Sequence, residues 1–236
     1  MRGITSFMLV LVGILPLQEV GHEQKKAERV IFSIDHEEKR LTIQTYVYLV
    51  QPNPEHSMVL DNMIQFWNAQ NGIFELVVRG DHKKITYQID FDIQLAHGTY
   101  SFGGMFIPKG DIPAQYLQAV DIIPESDMPN LHGENGTTSL IGGYCPNHCI
   151  YVSDKYVSHP FVGAHELGHR MGFEHGYGGV MARKVRELTN YLSRQSLRDM
   201  LAKQDVLKRT FEKEQLLGLA SQDLPSNLTF KVKRKK

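Results

Sequence analysis

The stretch His165-Glu166-Leu167-Gly168-His169-Arg170-Met171-Gly172-Phe173-Glu174-His175 constrains this chain more than any other. His165 and His169 are four residues apart, so on an α-helix their rings leave one face a single turn apart, close enough to share an ion. Glu166 follows the first histidine and points to the flank of that face, where a carboxylate reaches a metal-held water without displacing it. Gly172 ends the helix, because glycine takes the left-handed conformation of a C-terminal cap at little cost and lets the chain turn back. The turn brings His175 to the same ion. Three imidazoles leave one position of a tetrahedral zinc for water, which is the arrangement of a catalytic site rather than a structural one. Any fold of this chain must therefore supply a short helix, a sharp exit and a return loop ending beside the ligand face.

A bare HExxH pair arises by accident in unrelated helices. Five specified positions, each at a frequency of about one in twenty, occur by chance in a chain this long on the order of once in ten thousand. With Met181 six residues beyond His175, after Gly176-Tyr177-Gly178-Gly179-Val180, this part of the chain resembles the metzincin clan of zinc metalloendopeptidases, H-E-x-x-H-x-x-G-x-x-H followed by a methionine turn. The resemblance covers residues 160 to 182. It implies that Met181 forms a hydrophobic floor beneath the ligands and is not itself a ligand. The short link between His175 and Met181 is most similar to the matrixin branch or its compact bacterial relatives. Astacins and serralysins carry a tyrosine two residues after the methionine, whereas Arg183 stands here, and Ala182-Arg183-Lys184 lacks the proline many members have.

The same resemblance implies an α/β, zincin-like fold, with a twisted mixed sheet, an active-site helix in the upper half and a helical lower half after the Met-turn. It implies Zn2+ as the cofactor and a protein or peptide substrate, hydrolysed by zinc-activated water with Glu166 as general base and proton donor to the departing amine. The wall of the S1′ pocket would fall on Arg183 and Lys184, a basic pair favouring acidic residues after the cleaved bond. Two rival readings are a zinc-stabilised binding or adhesion module without catalysis and a narrow-specificity secreted toxin or effector protease. Glu166, which need not bind metal, argues against the first. His159 reads as a surface residue in preference to a fourth ligand, and Tyr177 as a loop-packing aromatic in preference to an oxyanion donor.

Composition fits one domain with a proper core: 236 residues, 42% hydrophobic, with 26 basic residues balancing 26 acidic ones. No nucleic-acid role follows from that balance. Arg2 and the apolar run Ile4 to Leu17 have the length of a signal-peptide core and are short for a bilayer span. Residues 1–21 are therefore read as a signal peptide, ahead of an uncleaved anchor or a buried first strand, and the protein as secreted or periplasmic. Residues 22–39 form an N-terminal segment, 40–225 the catalytic domain and 226–236 a solvated basic tail. In an exported protein Cys145 and Cys149, separated by Pro146-Asn147-His148, read as a local disulfide, with a second metal site using His148 as the alternative. The pattern says nothing of oligomeric state.

Arg40 to Val50 alternates and is rich in β-branched residues, which predicts a strand, and a helix follows over about Asn53 to Asn71 with Met58, Leu60, Met63, Ile64 and Trp67 on one face. Ile73 to Val78 and Ile85 to Leu95 read as a hairpin through Gly80-Asp81-His82, and Ala119 to Ile123 as a weaker strand. The glycine- and proline-rich residues 97 to 137 read as an irregular insertion. Thr138 to Tyr144 and Cys149 to Ser153 read as a second hairpin, offering an edge along which an extended substrate adds as a strand. His159-Pro160 suits the start of the metal-binding helix. Val185, Leu188, Leu192, Leu197, Leu201 and Val206 recur at helical intervals, predicting one long helix or two broken ones.

Overall fold

A computed structural model describes residues 29–79, 84–128, 143–144, 149–203, 207, 211 and 229–235. Residues 1–21, expected to be a signal peptide, residues 80–83, expected to turn the first hairpin, and Cys145 with its neighbours lie outside these. Among the described residues no helix is long and apolar enough to cross a membrane.

Strand β2 (Arg40–Leu49) is the axis of the molecule. Its alternation works as the pleat requires: Leu41, Ile43, Thr45, Val47 and Leu49 are buried while the residues between them are half-exposed. β1 (Ile31–Asp35) folds back antiparallel on its first half, Ile31 opposite Gln44. The reversal is built locally, since Asp35 Oδ1 accepts from the amides of Glu37 and Glu38, both at 2.9 Å, and Lys39 closes the turn with φ 53°. Residues 31–35, placed in a separate N-terminal segment by the sequence reading, thus belong to the main sheet.

Helix α1 (Ser57–Asn68) follows, shorter at each end than the expected 53–71, and buries Val59, Leu60, Met63, Phe66 and Trp67. β3 (Phe74–Arg79) and β4 (Lys84–Leu95) pair antiparallel, and β4 runs parallel to β2 with Ile43 opposite Phe91. β7 (Leu117–Ile123) runs parallel to β2 on its other side and parallel in turn to β9 (Cys149–Ser153), whose antiparallel neighbour β8 (Gly143–Tyr144) ends the order. The sheet is mixed and eight-stranded, in the order β10 (Thr229–Arg234)-β3-β4-β2-β7-β9-β8 with β1 paired to β2. α1 packs on β4 and β2, and helix α2 (Val162–Arg170) packs on β9 and α1.

Three expectations change. Between residues 97 and 128 the chain is ordered: β5 (Gly98–Tyr100) and β6 (Phe106–Pro108) form a separate hairpin, and β7 is an interior strand. Glycine at 98 permits the hairpin's close approach, as a Cβ there would stand 2.2 Å from Ile107 O. Gln118 lies outside the expected Ala119 to Ile123 but belongs to β7, fully buried, donating through Nε2 to Arg29 O (3.2 Å) and accepting from Arg170 Nε at Oε1 (2.9 Å). The expected solvated tail is instead strand β10 (Thr229–Arg234), antiparallel to β3 with Val232 buried opposite Leu76. After Met181 the helical pattern overreaches: Leu188 and Leu192 are buried from non-helical backbone. Helix α3 (Arg194–Ala202) starts only where Ser193 caps it, accepting from Ser196 N at 3.1 Å. Val206 lies outside the described residues.

Candidate metal centre

Helix α2 starts at Val162, two residues later than Pro160, and carries His165, Glu166 and His169. Two of its residues are glycines that would weaken an isolated helix. Both are explained by what lies against them: a Cβ on Gly163 would stand 2.7 Å from Met63 Cε, and one on Gly168 would stand 2.6 Å from Met181 Sδ. Trp67 of α1 reaches the same turn and donates from Nε1 to Ala164 O at 3.0 Å.

The helix ends as the residues demand. Gly172 has φ 96°, its amide donates to His169 O (3.1 Å) and that of Phe173 to Gly168 O (2.9 Å), the paired bonds of a Schellman cap. Phe173 then packs into the core against Trp67, the rings tilted by 37° with centres 5.0 Å apart.

This exit also orients a ligand. His169 Nδ1 lies 2.9 Å from Phe173 O, and His165 Nδ1 lies 2.6 Å from Val180 O in the next turn. A carbonyl only accepts, so each Nδ1 carries a proton, and Nε2 is the nitrogen turned toward the other two rings. The loop returns His175, and the three Nε2 atoms form a triangle with edges of 3.1, 3.0 and 3.2 Å. Burial, with the neighbouring His169, pushes His165 down to about 3, and burial, His169 and the Arg183 charge push His175 down to about 4. Both rings are neutral at pH 7.

The donor set fits zinc. Nitrogens bound at about 2.0–2.1 Å around a tetrahedral ion stand about 3.3 Å apart, a few tenths of an ångström wider than the edges observed. These three histidines are the group whose ligand atoms converge among the described residues.

Glu166 is 3% exposed, with Oε1 3.9 Å from His165 Nε2. Burial pushes its carboxyl up to about 8, and a divalent cation alongside would oppose that by direct attraction. Met181, fully buried, stands in a short helical turn, Gly179–Met181, with its sulfur against Gly168 of α2. Gly179 has φ 67°, and a Cβ there would stand 2.3 Å from Tyr191 O, so the turn tolerates only glycine.

The other candidate residues separate. Arg183 is exposed at a bend of the chain, and its charge acts on His175. Lys184, also exposed, turns instead to Glu187 at 3.8 Å. Tyr177 is 46% exposed, its hydroxyl at the Asp199 carboxylate. His159 stays apart from the triangle, Nδ1 accepting from Phe161 N at 3.2 Å. Cys149 is a buried thiol, pushed up to about 11 by burial and Asp121, while Cys145, its expected partner, is outside the described residues. Sequence reasoning missed the carbonyls of Val180 and Phe173, since every residue has a carbonyl and its identity carries no such signal. It also missed Trp67 as a helix support.

Comparison with family models, curated proteins and solved structures finds no match to the chain.

Proposed function

We propose that the chain is a zinc-dependent endopeptidase of the metzincin type. The observation that carries the reading is the convergence of three imidazole nitrogens beside one buried carboxylate, with a methionine-bearing turn packed on the same helix. The sheet supports it. Parallel strands β4, β2, β7 and β9 end in an antiparallel edge, β8, lying against α2, the arrangement that the resemblance implies.

His165, His169 and His175 would hold the ion. Zinc on three histidines supplies Lewis acidity to a carbonyl oxygen and lowers the pKa of a water toward about 7. Glu166 accepts the proton of the attacking water and hands it to the departing amine. Its burial keeps bulk water from competing for that proton, and α2 holds its carboxylate one residue from a ligand. Val180 and Phe173 keep two rings in the tautomer that ligates. An extended peptide aligned on the β8 edge gains backbone hydrogen bonds independent of its sequence, and Arg183 selects an acidic residue beyond the cleaved bond. Export directed by residues 1–21 completes the reading.

The test is metal content and proteolysis on the same sample, comparing wild type with Glu166→Gln on unfolded casein and a quenched-peptide library, with and without chelator. One zinc in each protein, with cleavage only by wild type and reduced on the order of 10²-fold or more in the variant, is the expected result. Equal turnover removes Glu166 from its role. Zinc in both proteins with no cleavage by either favours the binding module, and absence of zinc removes the site.

A further inference from the structure

Of the three ligands, His175 is the one least supported by its own surroundings. His165 and His169 stand on a helix, and each Nδ1 meets a carbonyl. His175 makes hydrogen-bond-range contacts only through Nε2, so its Nδ1 has no such partner among the described residues. The loop that bears it is weakly self-determined, because Gly172, Gly176 and Gly178 all have positive φ (96°, 137° and 67°). A Cβ on residue 176 would meet nothing within 4 Å. Between this loop and α3 lies a cavity of about 60 Å³, lined by His175, Met200 and the side chains described next. Apolar packing therefore does little to hold the ring from that side.

Two polar bridges cross the cavity from α3. The Lys203 ammonium pairs with the Glu174 carboxylate, and the Asp199 carboxylate receives the Tyr177 hydroxyl. Asp199 of α3 and Lys203, the helical residue that caps its C-terminus, are four residues apart and share one face. Their partners bracket the ligand, one residue before His175 and two after it. The bridges are exposed, Lys203 and Glu174 being 51% and 65% accessible, so salt screens them.

We propose that Asp199 and Lys203 are positioning residues for the metal, making α3 a clasp that holds His175 in the ligand triangle through Tyr177 and Glu174. The inference rests on the metal-site reading above. Zinc then leaves by opening of the His175 loop while the two helical ligands stay in place, and the clasp sets how often that opening occurs.

The experiment loads the full chain with zinc and follows its release to excess chelator with a zinc indicator. Asp199→Ala combined with Lys203→Ala should release zinc roughly 3- to 10-fold faster than wild type, with an unchanged melting temperature for the zinc-free protein. Raising the salt should speed release from wild type but not from the double variant. Lys203→Arg should keep the slow rate, as should Lys155→Ala, which removes a comparable surface pair with Glu125 on a different part of the chain. Equal release from wild type and double variant overturns the clasp. So does faster release with a matching fall in zinc-free stability, because α3 would then act on the whole fold. A wild type that binds no zinc overturns the metal site itself, and the clasp with it.

Discussion

Gly168→Ala probes the fit between helix α2, which carries His165 and His169, and the methionine packed against it. The added Cβ would stand 2.6 Å from Met181 Sδ, 3.3 Å from its Cε and 3.2 Å from Trp67 Cζ2, whereas unstrained contacts lie at about 3.5–4.0 Å. The sulfur must retreat by roughly 1 Å to restore such a contact, and Met181 is fully buried. Overpacking of this kind costs about 1–3 kcal/mol. Alanine returns about 1 kcal/mol as the better helix former, so the single variant should lose about 0–2 kcal/mol. Met181→Ala should lose about 2–5 kcal/mol by emptying a buried site. In the double variant the methyl at 168 meets no sulfur and occupies part of the void, leaving only the helix gain. The combined loss should then fall short of the sum of the two single losses by about 1 kcal/mol or more. Urea unfolding with chelator present measures all four proteins without contribution from bound metal. Losses that add to within about 0.5 kcal/mol would refute the placement of Met181 against the ligand turn.

Gly172→Ala forces a Cβ onto φ 96° and should cost about 1–3 kcal/mol; because the same cap carries the Phe173 carbonyl to His169, zinc affinity should fall with it in a chelator titration. The zinc-free protein should be most stable near pH 6.5. Below that pH, His165 and His175, held down to about 3 and about 4, stay neutral when folded while the unfolded chain takes up protons, so stability drops with acidification. From about 6.5 to 8, Glu166, pushed up to about 8, keeps a proton that the unfolded chain has lost, so stability drops again; a monotonic trend in denaturant midpoints between these limits would count against this environment. Arg183→Ala should flatten any preference for acidic residues after the cleaved bond in peptide-library profiling, whereas Lys184→Ala, whose charge is engaged by Glu187, should leave it nearly intact.

Local chemistry made much of this protein legible. The four-residue spacing of His165 and His169 sets their shared face on any α-helix, and Gly172 is the residue that ends such a helix with a reversal. The alternation of β2 declares one face buried. These readings need only neighbours within a few residues. The outer strands could not be read that way, because β1 and β10 are ordinary stretches until β2 and β3 offer unpaired edges to bond. β7 was expected only from Ala119, and the burial of Gln118 before it makes sense only once Arg170 and the Arg29 carbonyl are brought to it. The pattern after Met181 predicted helix from apolar spacing, yet Leu188 and Leu192 reach the core without one, since burial rewards where a side chain ends and not the backbone that delivers it. The sequence alone determined which residues can hold a metal. Tertiary structure decided the carbonyls that set their tautomers and the elements that surround the third ligand, because those contacts join residues that chain connectivity does not make neighbours.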